Sequence, residues 1–106
     1  SRGLGDVYKR QEDQVVVAPV KMSRKKAPKL VDLRVIVEHH GGHLRVNVPP
    51  EGVDDRWLVV ADTPRKAHAI RKRHAGRVGV VYDLRIVLDA TILGRIPEDR
   101  ESYMLI

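Results

Sequence analysis

The chain has 106 residues, with 20 Lys and Arg against 14 Asp and Glu, for a formal charge of +6. That length fits one small domain and excludes a full Rossmann enzyme, a TIM barrel or a kinase. The absence of Cys excludes disulfides, a thiolate zinc site and a cysteine nucleophile, and the longest apolar runs are too short to span a membrane.

Residues 1–11, SRGLGDVYKRQ, show no hydrophobic period and no turn pattern. The whole string resembles the translation of a transposase-type sequencing-library adapter, and such a segment is set aside before the fold is considered. The native chain is then expected to begin at Glu12, in a metagenomic fragment of bacterial or phage origin, with its start codon upstream. Residues 12–106 carry a formal charge of +4 and can bury one modest core. No Phe is present, so Val, Leu and Ile must fill that core.

QVVVAPV, at 14–20, predicts a short strand ended by Pro19. Lys21, Arg24, Lys25, Lys26 and Lys29 follow without an acid, a self-repelling block expected to form a flexible basic linker. In LVDLRVIVE, at 30–38, Leu33, Val35 and Val37 alternate with polar residues; in HLRVNV, at 43–48, Leu44, Val46 and Val48 do the same. Period-two alternation on both sides of His39-His40-Gly41-Gly42 predicts a β-hairpin, with the glycines supplying positive φ. Pro49 and Pro50 then stop the strand.

WLVVA, at 57–61, predicts an inner strand. Asp62-Thr63-Pro64 is a helix start, and the helix is expected to run through RKAHAIRKRHA to a stop at Gly76. Residues 77–96 predict one long or two shorter strands, with Val80, Tyr82, Leu84, Ile86 and Leu88 on one face. EDRESYMLI is expected to form a helical turn or an edge strand. The expected fold is α+β: a β-hairpin followed by a strand–helix–strand unit, forming one sheet with the basic helix packed on a face. Parallel pairing of the strands near residues 58 and 80 fits the right-handed crossover rule. Residues 12–29 are read as a short strand and linker, and 30–106 as a single small domain.

The charge is unevenly spread. Residues 21–29 and 63–77 together carry +11 and no acid, which leaves −7 on the rest of residues 12–106. The helix has Ile70 as its only large apolar residue, helped by Ala67, Ala69 and Ala75, so most of its surface faces solvent. Arg71, Lys72 and Arg73 suit the helix dipole; Arg65 and Lys66 in the first turn oppose it by roughly 0.3–1 kcal/mol each. A phosphate-rich partner accounts for this pattern, and so does a solvated face in an Arg-rich genome. On the first reading the partner is nucleic acid, DNA or RNA. Its phosphates would be held by Lys21, Arg24, Lys25, Lys26, Arg65, Lys66, Arg71, Lys72 and Arg73. Scarce aromatics argue against base stacking, so sequence specificity should be low. The alternative is a phage-like structural or assembly protein whose strands pair with a protein partner or in a homo-oligomer.

His39, His40 and His43 cluster at the turn, but neighbours on a strand point to opposite faces, so no metal site is expected. His74 falls beside Ile70 on the inward stripe and is expected to be half-buried. No Walker loop, dinucleotide glycine fingerprint, HExxH or GxSxG occurs; no cofactor and no enzyme activity are expected, and the expected location is cytoplasmic. Asp62, at the end of an apolar strand and just before a helix, is the one catalytic candidate. Here residues 57–72 resemble the opening of the Toprim domain of type IA topoisomerases, through Asp62, Thr63, Pro64, Lys66, Ala67, Ile70 and Lys72. The resemblance implies a metal-dependent nucleic-acid enzyme in which Asp62 stands where the family has its catalytic Glu. The family's later Asp-x-Asp pair has no counterpart, since Asp83 and Asp89 are too far apart.

Overall fold

The computed structural model describes residues 15–20, 28–53 and 57–106. In chain order the elements are β1 (Val15–Val17), α1 (Leu30–His39), β2 (His43–Arg45), β3 (Trp57–Ala61), α2 (Pro64–Arg73), β4 (Tyr82–Asp83) and α3 (Arg85–Leu93). A 3₁₀ turn, Arg100–Tyr103, follows. The chain has an α+β fold built on a four-stranded parallel sheet of order β2-β1-β3-β4. The short strand read at 14–20 is β1, and it lies inside the sheet between β2 and β3.

Strand alternation divides the core into two layers. Val16, Leu44, Leu58 and Val60 face Leu33 and Val37 of α1 and Ile86, Val87 and Ala90 of α3. Val17, Val59 and Ala61 face the other way, onto Ala67 and Ile70 of α2. WLVVA is apolar throughout because β3 is covered on both faces. The parallel pairing expected for the strand–helix–strand unit is present, with Val60 opposite Tyr82 and Ala61 opposite Asp83.

The hairpin expected at 30–48 does not form. Leu30–His39 is a helix, and β2 pairs in parallel with β1, Val16 opposite Leu44. Leu33 and Val37 satisfy both periods: they alternate along a strand, and they also lie one turn apart on a helix, where both are buried. Gly41, at φ 88°, ends the helix instead of turning a hairpin. The Gly42 N–H donates to the Val37 carbonyl at 3.0 Å, and His40 Nδ1 donates to the Ile36 carbonyl at 2.8 Å.

The strands expected over 77–96 reduce to Tyr82–Asp83, and Arg85–Leu93 is a helix. The Asp83 carboxylate accepts the Arg85 N–H at 3.0 Å, and Gly94 closes the helix at φ 77°. Ile86, Val87 and Ala90 are buried together, a helical spacing that the strand reading passes over. Helices therefore cover both faces of the sheet, where one helix on one face was expected. EDRESYMLI supplies both forms anticipated for it: the 3₁₀ turn, then an antiparallel bridge from Met104 to Tyr82. Tyr103 fastens this segment, its hydroxyl donating to Asp89 at 2.5 Å while the Arg85 guanidinium lies over its ring.

Candidate nucleic-acid interface

The parallel sheet sends β1 and β3 out at the same end, side by side. The helix after β1 covers one face and the helix after β3 covers the other. That divergence is the topological switch point of a parallel sheet, and ligands of such folds bind in the crevice beyond the strand ends. Here the crevice is bounded by the exit from β1 at Ala18–Val20 and by Asp62–Lys66. Lys21, Arg24, Lys25 and Lys26, the first four expected phosphate contacts, follow Val20 directly in sequence and lie outside the described residues.

The other five fall on α2. Thr63 is the N-cap, with its hydroxyl accepting the Lys66 N–H at 3.3 Å, and Pro64 opens the first turn. This agrees with the start expected at Asp62-Thr63-Pro64. The helix stops at Arg73, earlier than expected, because His74 becomes the C-cap; Gly76 then takes φ 82°. Ala67 and Ile70 are the buried positions of α2, and fully burying a residue such as Ile70 is worth about 1.5–3 kcal/mol.

Arg65, Arg71, Lys72 and Arg73 are exposed. Arg65 and Lys72 project from the same side of α2, about 10 Å apart along its axis, with Arg71 and Arg73 flanking Lys72. Among the described residues no carboxylate pairs with any of these four. An open cleft of 450 Å³ at the N-terminal end of the helix is lined by Thr63, Arg65, Lys66 and Ala69.

Lys66 is the exception among the expected contacts. Its ammonium lies 3.1 Å from a carboxylate oxygen of Asp62, whose side chain is fully buried. A buried carboxylate is tolerable only with such compensation, so part of the Lys66 charge is spent within the chain. This pairing is legible as an i, i+4 spacing of Asp62 and Lys66, which a search for acids inside the basic stretch skips over.

At the far end of α2, His74 is half-buried as expected, and its Nδ1 accepts a hydrogen bond from the Arg77 guanidinium at 3.1 Å. Burial, and then the positive charges of Arg77 and Arg73, lower its pKa from 6.5. His39 and His40 end α1, while His43 is exposed on β2. No set of three or more His, Asp or Glu capable of holding a metal ion occurs among the described residues. Among the described residues the surroundings of Asp62 accordingly do not fit the magnesium site that the Toprim resemblance implies. Its carboxylate is buried against Lys66, and the Asp83 and Asp89 carboxylates are engaged by the Arg85 N–H and the Tyr103 hydroxyl.

No family model matches the chain, and no curated protein or solved structure matches it either. No helix among the described residues is long and apolar enough to cross a membrane.

Proposed function

We propose that the chain is a small non-enzymatic module that binds nucleic acid through its phosphates. The observation that carries this reading is the exposed side of α2, where Arg65, Arg71, Lys72 and Arg73 stand without carboxylate partners among the described residues. Four desolvated or ion-paired cations would be explained by the fold; four solvated ones packed onto ten residues repel one another and gain nothing from it. A polyanion relieves that repulsion and releases its own counterions on binding. Lys21, Arg24, Lys25 and Lys26, outside the described residues, are read as further phosphate contacts. Ala67 and Ile70 face the core, and no Phe, Tyr or Trp lies on α2, which supports backbone contact over base reading.

The test is fluorescence anisotropy with labelled duplex DNA, single-stranded DNA and RNA over a series of salt concentrations. Affinity should fall steeply with salt, with little dependence on base sequence. Absence of affinity for all three at low salt overturns the reading.

A second reading, a protein of assembly with no nucleic-acid affinity, is favoured by the exposed valines of α1.

A further inference from the structure

The outer side of α1 has a composition that the fold itself does not use. Val31 is 75% exposed and Val35 is 64% exposed. With Leu44 of the adjoining edge strand and Val46 just beyond it, they line a groove of 430 Å³ that Arg34 and Glu38 border. Single exposed aliphatics are ordinary on a protein surface. Two β-branched residues one turn apart on the outside of a helix are less so, since they weaken the helix without being buried.

The charges on this face are equally unused by the fold. Arg34 and Glu38 are exposed and one turn apart, yet they form no ion pair with each other or with any described residue. Arg preceding Glu by four residues is the poorer orientation for an intrahelical pair. Glu38 also sits in the last turn of α1, where the helix dipole disfavours a negative charge. Neither group serves its own helix.

We infer that this face docks a second copy of the same chain through an antiparallel α1–α1 contact. A two-fold axis beside Val35 sets that side chain against its own copy. It also carries Arg34 of each chain to Glu38 of the other, so the cation and carboxylate that ignore each other within one helix are complementary between two. Val31 and the groove beside it close over the aliphatic parts of the opposing helix. Charge also selects the face. Pro64–Arg73 carries five cations and no acid, and two such helices repel, whereas Leu30–His39 carries Arg34 against Asp32 and Glu38. Because α1 and α2 lie on opposite faces of the sheet, the dimer leaves both copies of α2 uncovered. It forms whether or not α2 binds nucleic acid.

Light scattering or sedimentation of the full chain across the micromolar range tests it. The wild-type mass should rise from 12.0 kDa toward twice that value. Arg34→Glu and Glu38→Arg should each weaken the dimer by about tenfold or more, and Val35→Lys should do the same. An equal mixture of the Arg34→Glu and Glu38→Arg chains should recover a dimer, and a chain carrying both changes should dimerise like wild type. Glu38→Arg places a cation where the helix dipole favours one, so loss of the dimer in that variant is not loss of the fold; thermal unfolding followed by circular dichroism checks this. A wild-type chain that stays monomeric throughout overturns the inference. So do single charge reversals that dimerise like wild type, or a mixture that fails to recombine.

Discussion

The Asp62 carboxylate is fully buried at the end of β3, and the ammonium of Lys66, one turn into α2, lies 3.1 Å away. The pair ties the strand end to the first turn of the basic helix. It also decides how much positive charge that turn presents. Lys66→Met removes the compensating ammonium and is expected to destabilise the fold by about 1–3 kcal/mol, less than for a fully buried pair because Lys66 reaches solvent. Asp62→Asn should cost less, since a neutral amide tolerates burial better than a charge. The same Asp62→Asn change releases the Lys66 ammonium toward solvent, and should steepen the salt dependence of nucleic-acid binding by about one neutralised phosphate. Urea denaturation and anisotropy read the two effects; equal denaturation midpoints for wild type and Lys66→Met contradict the first.

The cluster at the end of α2 is expected to act additively through phosphates. Replacing Arg71, Lys72 and Arg73 together by Ala should lower affinity for every sequence tested. The slope of log K against log salt should flatten by about 0.9 for each phosphate of duplex DNA that the variant no longer neutralises. Thermal stability should change little, because all three side chains are exposed. A drop in affinity confined to particular base sequences would contradict backbone recognition.

Gly52 and Gly76 offer a controlled comparison of backbone strain. Both have φ in the left-handed region, 93° and 82°. A Cβ at Gly76 would meet open space, whereas one at Gly52 would lie 3.2 Å from the Arg77 carbonyl oxygen. Gly76→Ala is expected to cost about 1–2 kcal/mol from conformation alone. Gly52→Ala should cost more, since Val53 is hydrogen-bonded to that same carbonyl at 3.1 Å and limits its retreat. Chemical denaturation gives the order of the two, and a Gly76→Ala variant less stable than Gly52→Ala would contradict it.

The lowered pKa of His74 fixes the sign of a pH effect. Burial and the neighbouring Arg77 and Arg73 charges favour the neutral ring in the folded chain. The unfolded chain therefore takes up the proton first as pH falls. Stability should be fully present above pH 6.5 and should decline as pH drops through that value toward the lower folded pKa. Nuclear magnetic resonance titration should place the His74 midpoint below 6.5, and Arg77→Ala should raise it. An unchanged midpoint in Arg77→Ala would exclude the Arg77 charge as a contributor beside burial.

Much of the region around α2 is legible in the sequence because its signals do not compete. WLVVA is too short and too apolar to be anything but a covered strand, and Asp62-Thr63-Pro64 is an unambiguous helix start. The rest is obscured by residues that satisfy two periods at once. Leu33, Val35 and Val37 alternate, and only the helix reveals that Leu33 and Val37 go inward while Val35 goes out. Over 77–96 the signal exists but is outweighed: Asp83 and Gly94 bracket ten residues in the manner of a cap and a stop, while Val80, Tyr82, Leu84, Ile86 and Leu88 in every second place speak for a strand. The position of β1 inside the sheet cannot be read locally, because strand order is set by which helix covers which face. For the interface, the cations of α2 stand out in the sequence, but Lys66 looks equal to its neighbours there. The outward valines of α1 become visible only once that segment is helical.

The bridge from Met104 to Tyr82, with the Leu105 N–H donating to the Val81 carbonyl at 2.8 Å, closes the β4 side of the sheet. Among the described residues the opposite border, β2, has a neighbour on one side only. At that open border the outward residues of β2 are His43 and Arg45, both exposed, and a polar, charged edge discourages pairing with a neighbouring chain.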